Sequence, residues 1–214
     1  MPKATLKSLE QQKKALYKPI LESPYSRPAW PEISTEDTKI LVDLLNTLFT
    51  PVGQYRKFKG KEGSIDEPAV LDHFVFGFND TNAALEAQAR QKYGLEESGS
   101  TSFTCLFVCR SDIKNPLLLQ HFPLLSASSR TKLIQLPKGT SAQLSASVHI
   151  PHLTVFAVKS SLESPLLHRV VDKIPDVKVP WLADQPVLEP MVIRRLKTVA
   201  GPKKANTKKK RQTS

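Results

Sequence analysis

Thr104-Cys-Leu-Phe-Val-Cys109 carries no charged residue, and it is followed by Arg110-Ser-Asp112, Ile113-Lys-Asn115 and Pro116-Leu-Leu-Leu-Gln-His-Phe-Pro-Leu-Leu125. An apolar run of this length reads as a strand buried on both faces. Asp112 to Asn115 reads as a turn. Pro116 then opens a helix reaching Leu125, because the N–H that proline lacks has no partner in a first helical turn anyway. A buried strand feeding a helix is the repeating unit of a covered sheet.

The same alternation extends both ways. Downstream, Leu133–Leu136 reads as a strand, Thr140–Val148 as a short helix, Leu153–Val158 as a strand and Glu163–Ile174 as a closing helix. Upstream, Ser34-Thr-Glu-Asp37 supplies side-chain caps for free N–H groups, and Ile40, Leu41, Leu44, Leu45 and Leu48 repeat at helical spacing until Pro51. His73–Phe78 is aromatic and β-branched enough for a strand, with Asn79-Asp80 capping a helix from Thr81 to Tyr93 and Gly94 stopping it. Between these helices, residues 52–68 read as a loop in which Tyr55-Arg-Lys-Phe-Lys-Gly-Lys61 interleaves cations with aromatic rings. Such a composition suits phosphate pairing and base stacking, although taken alone the stretch reads first as a solvated loop. The fold class expected is α/β, with a parallel or mixed sheet covered on both faces.

The flanks differ from this body. Residues 1–34 pass from lysines into a Pro-rich arm, residues 35–174 form the α/β domain, residues 175–200 are again extended and Pro-rich, and residues 201–214 are a basic tail. That tail has too little apolar area to order itself. Lys208, Lys209, Lys210 and Arg211 within it fit a nuclear-localisation signal, an RNA-binding extension, or both. Of the 31 basic and 20 acidic residues, the first 20 positions hold five lysines against one glutamate and the last 24 hold nine basic residues and no acid. The body is close to neutral. Cationic ends on a neutral body favour a polyanion, because each neutralised phosphate releases condensed counterions. An anionic membrane is the weaker candidate, since no segment joins these charges to an apolar helical face.

Several classes are excluded by composition. The 214 residues, 40% apolar with 17 prolines, are globular in type, and no window approaches the ~20 apolar residues of a membrane span. The reading is of a soluble, non-secreted protein. There is no Gly-x-x-x-x-Gly-Lys-Ser/Thr, Gly-x-Gly-x-x-Gly, His-Glu-x-x-His or Gly-x-Ser-x-Gly motif. His149-x-x-His152 invites a metal but has no neighbouring Cys or carboxylate, so a partly buried, hydrogen-bonded pair is the better reading. Cys105 and Cys109 would share one strand face about 13 Å apart, too far to bridge, as buried free thiols. No enzyme, metal or cofactor site is expected.

The run from Phe103 to Lys159 resembles the kink-turn-binding ribosomal-protein family, an α/β/α sandwich. The matching strings are Cys105–Asp112, Asn115–Leu125, Ile134-Gln-Leu-Pro-Lys-Gly139 and Leu144–Pro151, with Asn79-Asp-Thr-Asn82 where that family carries Gly-Thr-Asn-Glu. A closer resemblance reaches both ends. Lys7-Ser-Leu9, Tyr17-Lys-Pro-Ile-Leu21, Leu106-Phe-Val-Cys109, Phe122-Pro-Leu-Leu125, Lys132-Leu-Ile-Gln-Leu-Pro-Lys138, Pro180-Trp-Leu182 and Leu196-Lys-Thr198 are similar, in order, to the fungal ribonuclease P/MRP protein subunit Pop-three family.

That resemblance implies a three-layer α/β/α sandwich with a mixed four-stranded sheet. It implies a non-catalytic subunit of a nuclear and nucleolar ribonucleoprotein, in which RNA cleaves precursor tRNA and pre-rRNA. Its partners would be the ribonuclease P and ribonuclease MRP RNAs and the other protein subunits, with no small-molecule substrate and no membrane. Thr81 and Asn82 would meet RNA at a helix N-terminus, Lys138 would approach the backbone, and Val148, His149 and Ile150 would shield an extruded base. Lys57, Lys59 and the Lys208–Arg211 tail would add affinity. Asp80 and Ala83 stand where the kink-turn motif has Gly and Glu, so recognition by shape and backbone is expected in place of base-edge reading. The alternative is a protein-interaction scaffold in ribosome assembly that does not recognise RNA specifically.

Overall fold

The computed structural model describes residues 15–59, 66–95, 101–182, 186, 188 and 190–199. In chain order these form β1 (Ala15–Leu21), α1 (Thr35–Phe58), β2 (Phe74–Phe76), α2 (Phe78–Lys92), β3 (Phe103–Val108), α3 (Phe122–Ser129), β4 (Lys132–Gln135), α4 (Thr140–Val148), β5 (Val155–Lys159), α5 (Pro165–Val171) and β6 (Ile193–Val199). The chain divides into two compact units, residues 27–186 and the two ends together, residues 1–26 with 187–214.

The larger unit is the expected α/β fold. Its sheet runs β2-β5-β3-β4, with β5 antiparallel to both neighbours and β3 parallel to β4. Both faces are buried. On one, Leu41, Leu45 and Phe49 of α1 pack with α4 and α5 against Cys105, Phe107, Ile134 and Phe156. On the other, Leu85 of α2 and Phe122 of α3 cover Leu106, Val108, Leu133 and Val155. This gives helices above and below a mixed four-stranded sheet. One extra residue on β3, between Phe103 and Cys105, breaks the alternation and sends Phe103 to the α2/α3 side. Phe49 anchors the first layer, its ring lying edge-on to Phe74, Phe76 and Phe156 at 5.0, 5.4 and 5.4 Å. Each such pair contributes about 1 kcal/mol beyond the buried area.

Three boundaries depart from the sequence reading. First, α1 does not stop at Pro51 but continues to Phe58, so Val52 to Phe58 are helical and not part of a loop. The bond that Pro51 cannot donate costs about 3 kcal/mol. Phe49 and Val52, both fully buried, offset that cost by packing the last turns onto the sheet and α4. Second, the helix expected over Pro116–Leu125 is a 3₁₀ turn, Pro116–Leu119, followed by a separate α3. Pro123 has no N–H to give to Leu119 and so interrupts a continuous helix. Third, α2 begins at Phe78 behind Gly77, whose φ of +100° only glycine adopts without strain; Asn79 and Asp80 lie inside the first turn and do not cap it. The cap at Ser34 is as expected, its hydroxyl oxygen accepting the Asp37 N–H at 3.0 Å.

Cys105 and Cys109 are both free and fully buried on the α1 side of the sheet. Burial pushes the Cys105 thiol far above its ordinary value. Burial, aided by the Asp112 carboxylate, pushes Cys109 up to about 12. Both thiols should therefore resist alkylation at pH 8 in the native chain and react fully once it is unfolded, which mass spectrometry after a short iodoacetamide pulse would read. In the unfolded chain they ionise near pH 8.5. The stability they confer is thus complete below that pH and falls as pH rises towards about 12.

The smaller unit is a two-stranded antiparallel ribbon. β1 and β6 pair in register from Ala15 opposite Val199 to Leu21 opposite Ile193. Residues 1–14 and the basic tail, 200–214, lie outside the described residues, and with them the expectation of a disordered end.

Candidate nucleic-acid interface

Strand directions decide which loops meet. Because β5 runs against β2, β3 and β4, the carboxyl ends of those three strands and the amino end of β5 share one edge of the sheet. In open α/β sheets, ligands bind beyond the carboxyl ends of the strands. The Gly77 N–H donates to the Val155 carbonyl at 3.0 Å, and the Cys109 N–H to Thr154 at 2.8 Å, tying the start of α2, the end of β3 and the start of β5 together. The Asp112 carboxylate accepts N–H groups from Gly139 at 2.7 Å and Ser141 at 3.0 Å, so the turn after β3 caps α4 and fixes the loop holding Lys138. At the usual spacing this rim spans about 14 Å from β2 to β4.

The far end of α1 joins the same rim. Gly53 packs so closely on the last turn of α4 that an added Cβ would collide with the Ser147 carbonyl and touch the His149 ring. One turn on, the Arg56 guanidinium lies 5.2 Å from the centre of the Phe76 ring, at the end of β2. Burial draws its pKa down from the ordinary value. Lys57 and Lys59 are exposed, their ammonium groups 5.8 and 5.4 Å from the rings of Phe58 and Tyr55. Arg110, two residues after β3, covers Trp30 at 5.0 Å.

The expected site residues separate by burial. Lys57, Lys59, Lys138 and His149 are exposed, and Ile150 is half-buried against the core. Thr81 and Val148 are corrections to the sequence reading, because both side chains are fully buried. The Thr81 hydroxyl donates to the Val75 carbonyl at 3.3 Å and locks α2 to β2, while Val148 belongs to the core under α1. Asn82 is half-buried with its amide engaged at both ends. It donates to Glu86 at 2.9 Å and lies 2.8 Å from Nε2 of His121. Burial draws His121 below its ordinary pKa, opposed by the Glu86 carboxylate and a backbone hydrogen bond at Leu118. The tail residues Lys208, Lys209, Lys210 and Arg211 lie outside the described residues.

Arg56 and Arg110 were absent from the expected set. Arg56 was visible as part of the cationic run, yet its helical placement was not. Arg110 could have been found by asking which cation directly follows a buried strand. Among the described residues, the ion pairs are Lys132–Asp176, Lys173–Asp37 and Arg194–Glu22, and none uses a rim cation. The rim therefore presents Arg56, Lys57, Lys59, Arg110 and Lys138 without carboxylate partners among those residues, beside the exposed Asn79 and His149. Lys138 also borders a groove of about 830 Å³ against the first half of α1, where Lys39, Val42 and Leu136 contribute. No group of three or more His, Cys, Asp or Glu among the described residues is placed to hold a metal ion.

The chain is 26% identical over 186 residues to the protein named Ribonucleases P/MRP protein subunit POP3 of Saccharomyces cerevisiae, covering 83% of this chain and 85% of the yeast protein. Residues 12–184, spanning β1 and every element of the larger unit, match the family described as RNase P subunit Pop3, and the chain belongs to that family.

Proposed function

We propose that the chain is a non-catalytic RNA-binding subunit of ribonuclease P and ribonuclease MRP, supporting 5′ processing of precursor tRNA and processing of pre-rRNA in the nucleus and nucleolus. The observation that carries this reading is the row of cations along one sheet edge, none with a carboxylate partner among the described residues. Cations without carboxylate partners remain available to phosphate. Arg56, Arg110 and Lys138 would meet the backbone of the ribonuclease P or MRP RNA. Lys57, Lys59 and the Lys208–Arg211 tail would add long-range attraction, and His149 and Ile150 would pack on sugar or base. Asn82 would contact RNA by exchanging its His121 bond. Thr81 and Val148 serve as positioning residues, holding α2 and the α4 loop in place.

Filter-binding titrations with and without residues 201–214 test this reading. Six cations lie in that segment. Their removal should make the log–log salt dependence shallower by about 4 and weaken binding to all RNAs. A preference for structured cognate RNA over an unrelated sequence should survive, because the rim remains. If all affinity disappears with the tail, the rim does not read RNA and the scaffold reading stands.

A further inference from the structure

The β1/β6 ribbon is an unfinished sheet. Two strands alone are marginal in water, and three or more, or a packed neighbour, are needed for independent stability. Its apolar side chains are left wet: Leu16 is 45% exposed, Ile20 46%, Leu196 53% and Ile193 63%. Its charge is one-sided, since Lys18, Arg194, Arg195 and Lys197 face a single carboxylate, Glu22, which lies 2.7 Å from Arg194.

The hydrogen-bond register shows which edge is open. The Glu22 N–H donates to the Val192 carbonyl at 3.1 Å, which makes that pair a hydrogen-bonded one. Such pairs alternate along an antiparallel ladder, so Pro19 and Arg195, three positions further on, form a non-hydrogen-bonded pair whose backbone groups point outward. On β1 the outward position at the centre is thus proline, with no N–H to offer, and that edge is blocked to another strand. On β6 the outward groups belong to Ile193, Arg195 and Lys197, and Ile193–Val199 contains neither Pro nor Gly. That edge is continuous.

We propose that the outer edge of β6 accepts a third strand from a protein partner, an extended segment alternating apolar and acidic side chains. Backbone groups of Ile193, Arg195 and Lys197 supply the ladder, and acids on the incoming strand lie beside Arg195 and Lys197. RNA fits less well, because it offers no strand to complete the β6 ladder and its phosphates would leave Leu196 in water. A second copy joined through β6 would set Arg195 and Lys197 against the same cations, which repel. The chain's own ends are basic and fail for the same reason. The proposal rests on the chain being a subunit of a larger assembly.

Hydrogen exchange of the full chain, alone and in the ribonucleoprotein purified through it, tests this. Exchange across residues 193–197 should slow on the order of 100-fold in the assembly and stay slow after ribonuclease digestion. Arg195→Pro, which copies Pro19 and leaves the inward β1/β6 bonds intact, should abolish that protection. Arg195→Glu with Lys197→Glu, which retains the N–H groups, should reduce it at least about tenfold. Unprotected amides in an intact assembly overturn the proposal alone. Protection lost with the RNA, or present in the isolated chain and dependent on its concentration, overturns it in favour of RNA or of a second copy. A chain that purifies alone overturns both this proposal and the subunit reading.

Discussion

Replacing Gly53 by valine should lower folding stability by about 3 kcal/mol or more, read as a shift of the urea midpoint. A Cβ at this position meets the Ser147 carbonyl, which is backbone and cannot turn aside as a flexible side chain would. Helix propensity alone would favour replacing a mid-helix glycine, by up to about 1 kcal/mol for alanine. Overpacking costs about 1–3 kcal/mol, and valine adds two methyl groups to the collision. Steric exclusion should therefore win, and it would consume a large part of a typical stability of ~5–15 kcal/mol. The displaced partner is the last turn of α4, already tied to α1 where the Ser147 hydroxyl donates to Asn46 at 2.9 Å. A Gly53→Val chain as stable as the parent would show that α1 and α4 do not approach this closely.

The second large effect concerns RNA. Arg56→Gln, Arg110→Gln and Lys138→Gln together should weaken binding of cognate RNA about 50-fold and make the salt dependence shallower by about 2 to 3. Neutral glutamine, and not glutamate, is the informative choice, because Arg56 and Arg110 also rest on Phe76 and Trp30. An unchanged thermal melt would assign the loss to phosphate contacts and not to the fold. Wild-type affinity in the triple variant would refute the assignment of the rim.

What the sequence could reveal follows the range of the forces involved. Buried strands were legible because an apolar run such as Cys105–Val108 has few alternatives, and Ser34 announced a helix through its own side chain. Local rules failed where a distant partner decided the outcome. Pro51 signals a stop, yet packing of Phe49 and Val52 into a core whose buried members outside α1 lie about 25 to over 100 positions away carries the helix past it. The β1/β6 pairing joins segments more than 170 residues apart, and neither strand alone indicates the other. Among the expected site residues, Lys138 was legible only in its exposure, from its place after Pro137. Thr81 and Val148 looked like surface residues because a helix N-terminus and a loop were expected there, whereas their side chains point into the core.

The Ala15–Val199 pairing also has an electrostatic consequence. The segments beyond it, with four lysines against one glutamate on one side and six basic residues without an acid on the other, depart from the same end of the ribbon. Two cationic segments thus share a root at one end of the ribbon, so a polyanion bound by one is held near the root of the other. Removing one segment should therefore cost less than its charge suggests, and removing both should cost more than the two single losses combined.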